Sequence, residues 1–282
     1  MFGDVVSQHG NWIWLGSLIN LLKAFGYSER LVRTSVYRLV QDDWLQVKKI
    51  GRKSYYQFTV SANNHYTKAA RRIYAKNICL SDDSWLILFP SFVEDSQLID
   101  LKRQLKWLGF SNLSSGAYAH PKFDQKSIEE TLRELDIVDS VIIFSGQTID
   151  KNSSKVLKKL VHQKWNISEL QQAYDSFIDT YEPILKFCQK HRTPDDNESD
   201  SIENYALLRL LLIHEYRRIL LQDHELSSKM LPSDWSGFKA NKLVKELYSM
   251  LAIKSCRYIT TKLKAMDGLL SQPIDDFDKR FR

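Results

Sequence analysis

The chain has 282 residues, 43% of them apolar and 26% charged, with 12% aromatics and a formal net charge of +6. That length suits about two or three domains with cores of their own, and that balance excludes a disordered chain. No apolar run approaches the ~18 residues of a membrane helix; residues 206–213 form one of the longest, and Arg209 interrupts it. The opening Met1-Phe2-Gly3-Asp4 lacks the basic and apolar segments of a signal peptide. Cys79, Cys188 and Cys256 are far apart and form no CxxC pair, which argues against a disulfide framework or zinc ribbon and fits a cytoplasmic protein. The ten glycines form neither GxGxxG nor GxxxxGK[ST], so dinucleotide and P-loop phosphate cradles are excluded.

Charge is unevenly placed. Residues 1–80 hold 12 basic against 4 acidic side chains, net +8, and the remaining residues 28 against 30, net −2. A basic first quarter points to a module for a polyanion, the bland alternative being a solvated basic face. Residues 17–26 read as a short amphipathic helix closed by Gly26. Ser28 is placed to cap a second helix over about residues 29–42, with Glu29 suiting its first turn. At about 100° per residue, Arg30, Arg33, Thr34, Tyr37, Arg38 and Gln41 share one arc that contains no acid, opposite Leu31, Val32, Ser35, Val36 and Leu39. Residues 44–49 and 54–60 are β-like runs around a basic turn at Gly51. Helix, turn, helix and basic hairpin describe a winged helix-turn-helix over residues 1–62. Arg33, Thr34 and Tyr37 would approach base edges in the major groove, while Arg30, Arg38, Lys48, Lys49, Arg52 and Lys53 would hold phosphates. Residues 63–82 are read as a connecting helix, with Tyr66, Ala69, Ala70, Ile73 and Tyr74 on its apolar side.

The middle segment, residues 83–150, alternates strand and helix. Residues 85–89 form a buried strand, 96–108 a helix through Leu98, Leu101, Leu105 and Leu108, 113–119 a strand, 127–135 an acid-rich helix, and 138–144 another apolar strand. This order is close to a ferredoxin-like split βαβ unit, with one short strand hidden near 117–120 or 147–149. Asn152-Ser153-Ser154 reads as a linker into an all-helical domain, residues 151–282. There residues 156–161 are helical, Ser168 caps a helix to about Lys190, 192–201 form a loop containing Pro194, and about 202–221 form a helix apolar almost all round. Arg209, His214, Glu215, Arg217 and Arg218 on that helix need partners if they are buried. They form either a satisfied ion-pair network or a pocket where cations meet an anionic ligand. Residue 218 is Arg, so there is no HExxH zinc site, and no GxSxG marks a serine hydrolase. Residues 223–241 read as a loop whose Trp235 either plugs a core edge or lines the same cleft. Two helices then run to about Met266, before a polar, extended tail over 272–282.

These residues also carry a resemblance. Trp14-Leu15-Gly16-Ser17-Leu18, Glu29-Arg30-Leu31-Val32-Arg33-Thr34, Arg38-Leu39, Gly51-Arg52-Lys53-Ser54 and Tyr56 resemble the N-terminal domain of the PaaX family, the repressors of phenylacetic acid catabolism. Leu212-Ile213-His214-Glu215-Tyr216-Arg217-Arg218 and Leu231-Pro232-Ser233-Asp234-Trp235 resemble its C-terminal region. The chain starts inside what resembles the family's first helix. The resemblance implies a cytoplasmic, homodimeric repressor that binds double-stranded operator DNA, needs no cofactor and is released by phenylacetyl-CoA. His214, Arg217, Arg218 and Trp235 are the candidate effector-binding residues. The family's middle domain resembles the small nuclease subunit of CRISPR adaptation complexes. That chemistry needs a metal-holding acid near the end of the first strand, where this chain reads Phe89-Pro90-Ser91 with Glu94-Asp95 beyond. A pairing surface between subunits is the expected role instead. The rival classes are an enzyme acting on CoA thioesters or nucleic acid, and a protein-interaction scaffold. The first would need a nucleophile–base pair or carboxylate cluster, and salt-dependent DNA affinity separates the second.

Overall fold

A computed structural model describes residues 1–10, 12–75, 84–121, 125–190, 199–224, 226–273 and 280–281. A 3-10 turn at Val6–Gln8 leads to β1 (Ile13–Trp14), α1 (Leu15–Lys23) and α2 (Glu29–Gln41). Gly26 takes φ +81 after α1 and donates its N–H to the Lys23 carbonyl, so the chain turns within a few residues. The Ser28 hydroxyl then accepts the Leu31 N–H at 3.3 Å and caps α2. β2 (Leu45–Ile50) and β3 (Lys53–Phe58) pair antiparallel from Leu45↔Phe58 to Ile50↔Lys53. Only Gly51-Arg52 separates them, and Gly51 at φ +57 supplies the left-handed first central residue that such a tight hairpin requires. β1 joins the other edge of β3, giving the sheet order β1-β3-β2. Thr59 ends β3 and caps α3 (Val60–Ile73), accepting the Ala62 N–H at 3.1 Å. The helix therefore begins before residue 63.

β4 (Trp85–Pro90), α4 (Asp95–Trp107), β5 (Ser111–Ser114), β6 (Ala117–His120), α5 (Gln125–Glu134) and β7 (Val141–Gly146) follow in β-α-β-β-α-β order. Their antiparallel sheet runs β5-β6-β4-β7. The single strand expected over 113–119 is two strands, folded back at Ser115-Gly116 where Gly116 takes φ +75. That turn supplies the short fourth strand at 117–120. Leu101 and Leu105 of α4 and Ile128 and Leu132 of α5 pack with Leu86 and Leu88 in one core. Ile87 and Phe89 lie opposite Phe144 and Ile142 on the other face of β4 and β7.

α6 (Lys151–Lys164), α7 (Ile167–Lys190), α8 (Ser199–Leu220) and α9 (Gly237–Lys262) follow, before a small hairpin of β8 (Lys264–Ala265) and β9 (Gly268–Leu269). Two expectations change here. Asn152-Ser153-Ser154 is the first turn of α6 rather than a linker, because the Asp150 carboxylate accepts the Ser153 N–H at 2.7 Å and starts the helix. The last two helices are one, since residues 238–261 contain no glycine or proline to break the run. The expectations for the connecting helix beyond residue 75, for most of the 192–201 loop and for most of the tail lie outside the described residues, as does Cys79.

The chain divides into two compact units, one of residues 1–76, 181–216 and 242–282, the other of residues 77–180 and 217–241. In the first, a single core joins Val5, Ile13, Leu18, Val36 and Leu45 to Ala206 of α8 and Ile259 of α9. Among the described residues no helix is long and apolar enough to cross a membrane.

Candidate nucleic-acid interface

α2 is amphipathic by sequence and half-buried in fact. Val32 and Val36, each 4% exposed, anchor its inner side, while Arg30, Arg33, Thr34, Tyr37, Arg38 and Gln41 are all exposed. Leu31 and Ser35, expected on the inner side, are exposed as well, so the buried stripe is narrower than the apolar arc of the sequence. The outer stripe is less free of acid than its six positions indicate. Glu29 at its edge holds Arg33, with Oε1 at 2.6 Å from Nη2 and 2.8 Å from Nε. The Thr34 hydroxyl donates to the Arg30 carbonyl at 2.9 Å, which fixes its rotamer against the helix. Lys48, Lys49, Arg52 and Lys53 are exposed on the β2–β3 hairpin. Lys53 Nζ stands 5.3 Å from the centroid of the Trp14 ring, and Lys264 Nζ stands 5.8 Å from it, so β1 contributes an aromatic platform to this cationic surface.

A second cationic group in the same unit has the opposite environment. Arg209 of α8 is 0% exposed, and its Nε lies 2.9 Å from Asp4 Oδ2. It also donates to the Asp4 carbonyl and to the Ser255 hydroxyl. Arg280 Nη1 reaches Asp4 Oδ1 at 2.7 Å, and the Tyr74 and Tyr248 hydroxyls donate to that same oxygen. Burial alone would raise the Asp4 pKa, yet Arg209, Arg280 and the Tyr74 hydroxyl outweigh it and hold the carboxyl well below the usual carboxylate range. Of the polar insertions read on α8, Arg209 is thus the satisfied ion pair. Its partners Asp4 and Ser255 lie 205 and 46 positions away along the chain, so no spacing in the sequence points to them.

The four effector candidates divide between the two units. His214 is exposed on α8 in the first unit, 3.8 Å from Glu215. Arg217, Arg218 and Trp235 belong to the second unit, where the arginines are exposed and Trp235 is buried edge-on against Tyr174 at 5.5 Å. Gln171 of α7 donates to the Asp234 carbonyl and the Ser236 hydroxyl, which fastens the Trp235 loop. The second unit does contain a cavity of about 510 Å³, lined by residues of α4, β5, β6, the α6–α7 junction and the segment after α8. None of the four candidates lines it. Its residues come from separate short stretches with no shared motif, which is why sequence reading passed over them. Among the described residues no group of three metal-ligating side chains is present.

Comparison with known proteins completes this picture. Residues 1–62 match the family described as PaaX-like protein, residues 81–157 the PaaX protein central Cas2-like domain, and residues 165–261 the PaaX-like protein C-terminal domain. The chain is 33% identical over 284 aligned residues to the Transcriptional repressor PaaX of Escherichia coli, covering 100% of this chain and 87% of that protein. A solved structure of an uncharacterized protein from Mycobacterium tuberculosis aligns with a TM-score of 0.49 at 16% identity, covering 90% of this chain and 94% of that one. On this relative and these family models, the α+β chain is a transcriptional repressor. More particularly, the chain belongs to the PaaX family.

Proposed function

We propose that this repressor governs genes of phenylacetic acid catabolism through a winged helix-turn-helix in residues 1–62. In this reading α2 enters the major groove of operator DNA and the β2–β3 hairpin grips neighbouring backbone. The observation that carries it is the outward stripe of Arg30, Arg33, Thr34, Tyr37 and Arg38 on a helix anchored by Val32 and Val36. Arg33, Thr34 and Tyr37 approach base edges; Arg30, Arg38, Lys48, Lys49, Arg52 and Lys53 neutralise phosphates. Residues 63–82 connect this domain to a ferredoxin-like domain in residues 83–150, and residues 151–282 form the helical part.

The reading includes a cytoplasmic homodimer, which presents two copies of α2 to half-sites about 34–36 Å apart or a multiple of that spacing. It is supported by the apolar side chains that an edge strand exposes on both of its faces. Strand β7 lies at the end of its sheet, and Ile142, Ile143 and Phe144 are 48%, 40% and 57% exposed. An edge strand so apolar is suited to burial against a second copy. The effector is phenylacetyl-CoA, and it acts by binding more tightly to a dimer geometry in which the two helices miss their half-sites. A gel shift on the promoter of the phenylacetate operon tests this. The expected result is a salt-sensitive complex that phenylacetyl-CoA dissolves; a chain indifferent to duplex DNA at low ionic strength overturns the reading.

A further inference from the structure

The second unit's cavity combines an apolar wall with cationic side chains in its lining. Its inner wall is apolar and aromatic: Leu105, Phe110, Tyr118, Trp165 and Leu170 line it, and all are buried. Trp165 is stacked on Trp85 on one side and meets the His224 ring edge-on at 4.5 Å, so its plane is fixed. Its buried indole N–H has no hydrogen-bond partner among the described residues. Ser111 and His224, joined by a 2.7 Å hydrogen bond, add a polar couple to the lining. The mouth is cationic. Lys102 and Lys106, one turn apart on the same face of α4, are exposed there with Lys164 at the end of α6. None of the three has an ion-pair partner among the described residues. Glu169, also exposed, is the acid in the lining, so positive charge prevails.

Cavities of roughly 300–1,000 Å³ with an apolar wall and a few polar groups are the usual shape of small-molecule sites. We propose that this cavity is the effector site, taking a flat aromatic acyl group against Trp165 and Phe110 and the phosphates of a coenzyme A thioester on Lys102, Lys106 and Lys164. The assignment rests on the effector reading above and adds the place and the division of labour. An aromatic ring gains its contacts from the fixed walls, while lysine ammonium groups serve as point charges for phosphates of varying geometry. The mouth therefore supplies affinity for any CoA thioester, and the wall supplies preference for the aryl group.

Isothermal titration of the full-length chain with phenylacetyl-CoA, acetyl-CoA, CoA and phenylacetate separates these roles. The charge reversal Lys102→Glu with Lys106→Glu lies on an exposed face, so folding is preserved, and unliganded operator binding serves as the check. It is expected to weaken phenylacetyl-CoA and CoA at least tenfold each. Trp165→Phe keeps an aromatic ring in the stack and is expected to narrow the preference for phenylacetyl-CoA over acetyl-CoA severalfold. If the unmodified chain binds phenylacetyl-CoA and the double charge reversal binds it equally well, the cavity assignment fails while the effector reading stands. If phenylacetate alone binds as tightly as its thioester, the role of the lysines is overturned. If the unmodified chain binds no thioester, the effector reading falls and the site with it.

Discussion

Arg209 and Arg33 are the same side chain in opposite settings within one unit. Arg209 is fully buried against Asp4, beside Arg280 and a group of tyrosines; Arg33 stands at the surface and leans on one exposed glutamate. The first pair has left water altogether, so each charge depends on the other for its solvation. The second is bathed in solvent, contributes little to stability and can exchange its partner for a phosphate or a guanine edge. A cation's burial, rather than its presence, thus separates the residues that hold this fold together from those free to meet a polyanion in the proposed reading.

Breaking the buried side should produce the largest effect. Asp4→Asn keeps the shape but leaves Arg209 and Arg280 without a counter-charge, and should cost about 3–5 kcal/mol of unfolding free energy in urea titrations. A loss below about 1 kcal/mol would show that the cluster contributes little to stability. On the exposed side the pattern inverts. Arg33→Ala should weaken operator binding by roughly 1–3 kcal/mol while the melting behaviour stays within about 0.5 kcal/mol of the parent. An unchanged operator affinity would remove α2 from the reading surface.

Acidity probes the buried side more gently. His9 donates its Nδ1–H to the Ser271 carbonyl at 2.8 Å, and it is 0% exposed. Burial pushes its pKa below the ordinary 6.5, against the pull of the Ser271 hydrogen bond; Arg209 and Arg280 lower it further and Asp4 opposes them. The unfolded chain therefore takes up a proton that the folded chain refuses. His9's contribution is complete above about pH 6.5 and is lost as the pH falls toward its lower folded value. Melting curves at pH 7.5 and 5.5 should show this decline, and it should be smaller in His9→Gln. The Asp4 contribution stays intact over that window, because its folded pKa is depressed below a starting value of 3.8.

The sequence was most informative where chemistry is local. Ser28 caps α2, Gly51 opens the hairpin, and the exposed Arg30–Arg38 stripe is readable from spacing along one helix. The middle segment was nearly as legible, since alternating apolar runs announce strands; only the tight turn at Gly116 hid the fourth one. What could not be read is what joins distant stretches. Asp4 meets residues 209 and 280, and Ser111 meets His224. The effector candidates were chosen by proximity along α8 and its following loop, and the boundary between the two compact units falls between residues 216 and 217 of that helix.

The smallest effect tests the comparison most finely. Glu29 occupies the first turn of α2 and ties Arg33 down by an exposed i,i+4 pair. Such pairs are worth about 0.3–0.5 kcal/mol, so releasing the arginine should be easy. Glu29→Gln removes an acid from the edge of the exposed cationic stripe and frees the guanidinium, at the cost of a small favourable interaction with the helix dipole. Operator affinity should rise about twofold at low salt, and the gain should fade as added salt screens the exposed charges. Stability should fall by no more than about 0.5 kcal/mol. If affinity instead drops, Glu29 is positioning Arg33 for its base contact rather than competing with DNA for it, and the exposed arginine would prove to be as dependent on its carboxylate as the buried one.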